Sequence, residues 1–238
     1  MSETADCPTF IDLRAFASND AVAALPDPAG FGRKALPLRG GPIAISSLHF
    51  SPGSGAAPGQ QGDCFVIVAS GSIAITAHDT TLLLEEGQSM VLAGGAGFEW
   101  SVLVPTTLIA MRYTAATTAD ARVVPIAADV GLNPSGAPLA ELLIGPTPSC
   151  RNHTTFLSGD GEFMAGVWDS TPYHRRAMPY RHFELMYLLR GSVTFVDELG
   201  REGTFGAGDI FLVEQHAQCS WESREDVAKI YAIYRPVA

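Results

Sequence analysis

Three side chains that can do chemistry lie in the last third of the sequence: His182, Glu184 and Cys219. His182 and Glu184 are two residues apart, so on a β-strand both side chains point to the same face of the sheet. A glutamate buried among apolar groups has a raised pKa, because burial disfavours its charged form, and such a carboxyl group suits acid–base catalysis. A cysteine becomes a nucleophile when a neighbouring base produces its thiolate, and His182 is the candidate base. These residue types indicate acid–base chemistry at Glu184 or nucleophilic chemistry at Cys219.

Each residue also has a structural interpretation, which the sequence leaves open. Glu184 would then be an ordinary buried glutamate that a hydroxyl group or Lys229 satisfies. Cys219 would be a small apolar filler of the core.

Short apolar runs of the kind that build β-strands recur along the chain. The chain has 24 glycines and 16 prolines, and 17% of its residues are charged, which suits short strands joined by tight turns. We therefore predict an all-β protein whose sheets fold together as a jelly roll, since this limits exposed edges, with a short helix around Pro138 to Leu143. The predicted strands of the first half are Ile43–Phe50, Phe65–Ala69, Ser72–Ala77, Thr81–Leu84, Ser89–Leu92, Phe98–Val104 and Thr107–Tyr113.

An internal repeat divides the sequence into two halves. Four landmarks recur at an offset of 120 or 121 residues. They pair Phe65–Ile73 with Leu185–Val193, Glu86–Leu92 with Ala207–Val213, Phe98–Trp100 with Cys219–Trp221, and Ile109–Tyr113 with Ile230–Tyr234. A repeat of this length indicates two copies of one structural unit. We predict two tandem domains, residues 1–118 and 119–238, joined through the turn-rich stretch Ala115–Pro148.

Composition and charge argue against nucleic-acid and membrane partners and indicate the cellular compartment. The net charge of −10 repels phosphate backbones, so we expect no nucleic-acid partner. We find no secretory signal in Met1–Asp20 and no run of apolar residues long enough for a membrane helix, so we expect no membrane partner. The four cysteines form no C-x-x-C pair, which favours a reduced cytoplasmic protein with free thiols.

The second half resembles the cupins, whose domains are RmlC-like jelly rolls. Glu184 and Gly191 have the E-x6-G spacing of the first cupin motif. Gly208 opens the second motif, in which Cys219 takes the place of the histidine. Met178 and Tyr180 take the places of the two first-motif histidines.

A more specific resemblance is to the (S)-ureidoglycine aminohydrolase-type cupin family. It rests on Gly166-Val167-Trp168, on Tyr180 before Glu184, and on Cys219-Ser220-Trp221 followed by Lys229-Ile230-Tyr231. It implies two tandem cupin domains, a bicupin, and a pocket in the second barrel into which Glu184 and Cys219 face. In that pocket the aromatic residues Tyr180, Trp168 and Trp221 either contact a ligand or belong to the hydrophobic core.

The residues predicted to bind a ligand in the second pocket are Tyr180, His182, Glu184, Cys219, Trp168, Trp221 and Lys229. Glu184 is the candidate catalytic residue. We expect no cofactor; the alternative is a transition metal (zinc, manganese, nickel or iron) held by Glu184, His182 and Cys219. The basic residues His174, Arg175, Arg176 and Arg181 attract an anionic substrate to the pocket mouth or form a solvated loop.

The corresponding pocket of the first half is predicted to be degenerate. Cys64 takes the glutamate position and Phe98 the histidine position, and with Trp100 they make the pocket apolar. We interpret this domain as structural or as a dimerisation partner.

Three functions follow as hypotheses. The first is binding of a small polar metabolite in the C-terminal barrel. The second, implied by the resemblance, is a ureidoglycine aminohydrolase-like enzyme of ureide and nitrogen metabolism. The third is a scaffold without a ligand. A homodimer that takes a small-molecule ligand is expected.

Overall fold

The structure is a computed structural model, and it describes residues 7–21, 23–77, 79–115 and 118–237. In these ranges the chain consists almost wholly of β-strands, with an α-helix, α1 (Leu13–Ser18), and a 3-10 helix, Ala140–Leu142, where the short helix was predicted. The predicted all-β fold class is therefore confirmed. Of the helices described, none has the length and apolar character that crossing a bilayer requires.

The strands of the first half are short and follow one another closely. They are β1 (Phe10–Asp12), β2 (Leu25–Pro26), β3 (Gly32–Ala35), β4 (Ile43–Phe50), β5 (Gly53–Ala57), β6 (Asp63–Ser70), β7 (Ser72–Ala77), β8 (Thr80–Glu85), β9 (Ser89–Ala93), β10 (Phe98–Val102), β11 (Thr106–Tyr113) and β12 (Arg122–Ile126). All seven predicted strands occur, and their ends agree with β4 and β6–β11 to within two residues.

The strands of the second half repeat this pattern. They are β13 (Asn133–Ser135), β14 (Cys150–Leu157), β15 (Phe163–Ser170), β16 (Tyr173–Pro179), β17 (Phe183–Arg190), β18 (Ser192–Val196), β19 (Glu202–Gly206), β20 (Ile210–Val213), β21 (Gln218–Ser223) and β22 (Val227–Tyr234).

The chain packs into two compact units. Among the residues that the structure describes, the first unit comprises those within 13–127 and 155–165, and the second comprises those within 7–12, 128–154 and 166–237. Each of these units includes a segment from the other half of the sequence, so the units do not test the predicted sequence bounds. Those bounds, 1–118 and 119–238, stay a prediction.

Both halves build the same pair of sheets. In the first half a seven-stranded sheet has the order β12-β9-β6-β11-β4-β3-β2, and a four-stranded sheet has the order β5-β10-β7-β8. The strands of the second half, together with β1 from the first half of the sequence, have the orders β1-β20-β17-β22-β15-β14-β13 and β16-β21-β18-β19. Each strand from β4 to β11 has its counterpart 11 strands later, at the same place in its sheet. The internal repeat in the sequence is therefore a repeat of a complete two-sheet barrel.

The Gly-Ser landmark of the repeat marks a tight turn between two strands. Gly71 has φ +80° and Gly191 has φ +75°, a backbone conformation that L side chains rarely adopt. A Cβ atom at Gly71 would lie 2.6 Å from the carbonyl oxygen of Pro105, and one at Gly191 would meet the carbonyl oxygen of Asp226. Glycine is needed at both turns because a side chain has neither the conformation nor the space.

The two-residue alternation of the strands places apolar side chains between the sheets of each unit. The first unit has a core that includes Leu48, Val66, Ile75, Trp100 and Leu108. The second has a core that includes Met186, Phe195, Phe211, Cys219 and Trp221. These faces form the barrel interiors in which a site can be built.

Candidate functional site

Glu184 and Lys229 form a buried ion pair inside the second barrel. Glu184 lies on β17 in register with Val213 on β20 and Ile233 on β22. Its Oε1 accepts a hydrogen bond from Lys229 Nζ at 2.8 Å, and its Oε2 accepts one from His182 Nε2 at 3.2 Å. Glu184 and Lys229 are each 6% exposed. Both carboxylate oxygens are thus bonded to nitrogen donors of this chain.

The ion pair decides the charge of Glu184. Burial on its own raises the pKa of this carboxyl group, but the ammonium of Lys229 and the hydrogen bond from His182 outweigh burial and hold the pKa well below its usual range. The expectation of a raised pKa, drawn from burial alone, is therefore wrong. Glu184 is a carboxylate at neutral pH, and a carboxylate of such low pKa is a weak general base.

Two tryptophan rings enclose the ammonium of Lys229. Nζ lies 4.7 Å from the ring centroid of Trp168 and 5.0 Å from that of Trp221, which are cation–π distances. It also donates a hydrogen bond to Met186 Sδ at 3.2 Å. The two tryptophans meet edge to face at 5.9 Å. Carboxylate and rings together form a cage for a cation, and the chain's own lysine fills it.

Tyr180 lies next to this cage and is held by a buried arginine. Its ring is 5.2 Å from that of His182. Its hydroxyl accepts a hydrogen bond from Arg175 Nη2 at 3.0 Å, and the Arg175 guanidinium lies 5.2 Å from the Tyr180 ring centroid. Burial raises the pKa of Tyr180 well above its usual range. Arg175 is 5% exposed, whereas Arg176 and Arg181 are exposed to solvent.

Cys219 lies on β21 in the same apolar core as Tyr180 and Trp221. Its side chain is fully buried, and burial raises the pKa of the thiol to about 12. At neutral pH it is a thiol rather than a thiolate, and thiols are poor nucleophiles. It fits the role of an apolar filler.

The structure thus brings most of the predicted site residues into one cluster. Glu184 contacts His182 and Lys229, and Lys229 contacts Trp168 and Trp221. The ring of Tyr180 lies beside that of His182, and Cys219 packs in the same apolar core as Tyr180 and Trp221.

The same geometry bears on whether this cluster suits a metal ion. No group of three or more His, Cys, Asp or Glu side chains within the described ranges is arranged to hold one. The donors present do not fit a cation in this arrangement, because the Lys229 ammonium already binds Glu184 and a guanidinium lies against Tyr180.

A cavity lies inside the first barrel, where the sequence predicted a degenerate pocket. Its volume is about 180 Å³. The apolar part of its wall includes Leu48, Val66, Ile75, Leu92, Leu108 and Ala110. A dry apolar cavity of about 150 Å³ is large enough to bind benzene, so this one accommodates a ring of that size with a substituent.

Polar groups meet at one part of this cavity wall. Asp27, Arg33, Cys64 and Arg112 all line it. Arg33 Nε donates a hydrogen bond to Asp27 Oδ2 at 3.0 Å. Burial raises the pKa of the Cys64 thiol to about 11, an effect that the positive charges of Arg112 and Arg33 reduce. The positive charges of both guanidinium groups therefore favour a negative charge near Cys64.

Differences in side-chain volume account for space inside the first barrel. Equivalent interior positions carry larger residues in the second barrel: Tyr231 for Ala110, Trp168 for Leu48 and Phe195 for Ile75. Gly166 stands at the position of Ser46, and a Cβ atom there would lie 2.9 Å from the Tyr231 hydroxyl. At one equivalent position the difference is reversed, because Phe98 of the first barrel is larger than Cys219 of the second.

The polar residues of this cavity, Asp27, Arg33 and Arg112, lie outside the cupin motif positions and were not predicted as site residues. Comparison of side-chain volumes at equivalent repeat positions is the signal that points to the cavity.

Comparisons with known proteins agree with this architecture. Residues 157–231 match the model of the EutQ-like cupin domain. A search of curated proteins finds no match.

Solved structures give the wider likeness. A protein of unknown function of the DUF861 family from Pseudomonas syringae is 26% identical, with a TM-score of 0.85 over 95% of this chain and 99% of that one. Protein Ylba from E. coli, also DUF861, is 14% identical, with a TM-score of 0.61 over 97% and 93% of the two chains. Oxalate decarboxylase from Lactobacillus farciminis is 11% identical, with a TM-score of 0.52 over 96% and 86%. The fold is that of the cupins, and the first of these neighbours is itself a protein of unknown function.

Proposed function

We propose that this cupin-fold protein binds a small organic molecule, and that the cavity of the first barrel is its binding site. The observation that supports the proposal is the cavity of about 180 Å³ with a mainly apolar wall and a few convergent polar groups, which is the usual make-up of a ligand pocket. The sequence alone favoured a small polar metabolite in the C-terminal barrel. There Lys229, Trp168 and Trp221 occupy the interior, so the first barrel is the stronger candidate.

Filling the cavity tests this proposal. Ala110→Tyr inserts the residue that the second barrel carries at the equivalent position, and we expect it to weaken binding of benzamide, a neutral probe of suitable size, more than tenfold, because the added ring takes the ligand's space. Isothermal titration calorimetry measures the dissociation constant. Ala35→Tyr, at an exposed position of β3, is the matched control and should leave binding unchanged. Failure of the parent to bind either benzamide or its carboxylate analogue benzoate, or equal binding of benzamide to Ala110→Tyr, would overturn the proposal.

A ureidoglycine aminohydrolase-like activity is the second candidate. The resemblance suggests it, and the convergence of His182, Glu184 and Lys229 supplies the polar groups for it. If the protein releases ammonia from (S)-ureidoglycine, Glu184→Gln should abolish turnover, since the carboxylate would be the catalytic group. Lack of turnover by the parent, or turnover that the substitution leaves unchanged, would remove this candidate.

The remaining expectations also stand as proposals. They are a homodimer, a cytoplasmic location, and no resident cofactor rather than a zinc, manganese, nickel or iron ion. Native mass spectrometry and elemental analysis of the purified protein test the first and the last.

A further inference from the structure

The charge of the first-barrel cavity is opposite to that of the protein. The chain as a whole has a net charge of −10. The described residues that line the cavity include two arginines, Arg33 and Arg112, and one aspartate, Asp27. A positive cavity in an acidic protein raises the local concentration of anions.

Asp27 neutralises part of the positive charge of Arg33. It accepts a hydrogen bond from Arg33 Nε at 3.0 Å, and it also accepts one from the backbone N–H of Ala29 at 2.9 Å. Among the residues described, none accepts a hydrogen bond from the Nη atoms of Arg33, which therefore remain available to a further acceptor.

Arg112 has no partner among the described residues. It lies on β11 between Ala44 on β4 and Cys64 on β6, and it is half-buried. A guanidinium group that is partly withdrawn from water loses hydration, and an anion bound beside it replaces that hydration. The second barrel has Ile233 at the equivalent position, so this charge belongs to the first barrel alone.

We infer that the cavity binds an organic carboxylate, with its apolar body among Leu48, Val66 and Leu108 and its carboxylate on the guanidinium groups of Arg112 and Arg33. The inference rests on the proposed function and adds the chemical class of the ligand. The planar guanidinium presents paired N–H donors that match the two carboxylate oxygens, and a lysine would not provide that match. The volume of about 180 Å³ limits the body to about one aromatic ring or a short branched chain.

A pair of nearly isosteric probes tests the inference. Benzoate and benzamide have the same ring and differ in charge, so their ratio of dissociation constants reports on recognition of the anion. We expect the protein to bind benzoate about ten- to a hundredfold more tightly than benzamide, the effect of a hydrogen bond to a charged group. The preference should decrease as salt is added, because ions screen the attraction.

Arg112→Leu should remove most of this preference while benzamide still binds. Arg122→Leu, an exposed arginine on β12, is the matched control and should keep the parental ratio. Equal binding of the two probes to the parent would refute the carboxylate and leave the binding function intact. Failure of both probes to bind would refute the binding function itself. A preference for benzoate that survives Arg112→Leu would refute the role given to Arg112.

Discussion

Replacing Lys229 with methionine is expected to destabilise the protein by about 3–5 kcal/mol, the usual cost of removing one partner of a buried ion pair. Methionine keeps most of the volume of the side chain and removes the ammonium that binds Glu184 at 2.8 Å. The carboxylate would then be buried with a single remaining donor, His182. Urea denaturation followed by tryptophan fluorescence or circular dichroism measures the free energy of unfolding.

The double variant Lys229→Met with Glu184→Met is the control for this prediction. Apolar residues of similar volume in place of a buried ion pair are often neutral or stabilising. We therefore expect the double variant to recover most of the stability that the single variant loses. If both variants are equally unstable, the loss comes from packing and not from the unpaired charge.

The pH dependence of stability gives a second check on this ion pair. The folded-state pKa of Glu184 is depressed below its ordinary value of 4.5. Its contribution to stability is therefore fully present above pH 4.5 and is lost as the pH falls below that value toward the folded-state pKa. In Lys229→Met the unpaired carboxyl group has a higher folded-state pKa, so acid stabilises the variant relative to the parent. The stability difference between the two proteins should narrow as the pH falls from the folded-state pKa of Glu184 in the variant toward that in the parent, and a constant difference would contradict the assignment.

Trp221→Ala is expected to lower the free energy of unfolding by about 3–5 kcal/mol, the range for truncating a buried aromatic residue. Trp221 is 2% exposed. Its ring stacks on Tyr173 at 5.5 Å, meets Phe195 at 5.4 Å and covers the ammonium of Lys229 at 5.0 Å. Its loss opens a cavity in the middle of the second barrel and removes one wall of the cation cage. Thermal or urea denaturation measures the effect.

Two comparisons separate the cavity from a general failure to fold. Trp221→Phe retains an aromatic ring and should lose much less stability than Trp221→Ala. Indole added to Trp221→Ala should raise its melting temperature, because a ligand that binds the folded state alone stabilises that state. A loss below about 1 kcal/mol in Trp221→Ala would show that the interior of the second barrel is not tightly packed at this position.

The local features of this fold could be read from the sequence because their causes are local. Short apolar runs predicted strands such as Ile43–Phe50 and Ser72–Ala77, and the structure has them at the same bounds as β4 and β7. Gly71 and Gly191 marked their turns because a positive φ and a close backbone leave no room for a side chain. The offset of 120 or 121 residues predicted a repeated unit, and both halves have the same strand order.

The sequence by itself thus determined the all-β class and the duplication, while the residues around Glu184 were expected partly from the family resemblance. The tertiary structure decided the charge of Glu184 and the location of the cavity. The pKa of a buried group depends on which charges reach it, and Lys229 comes from a strand 45 residues away along the chain. A cavity depends on the summed volume of side chains from many strands, and Ala110 in place of a residue as large as Tyr231 leaves more space in the first barrel. Neither quantity can be obtained from the spacing of residues within a single strand, because each arises only when distant strands are packed together.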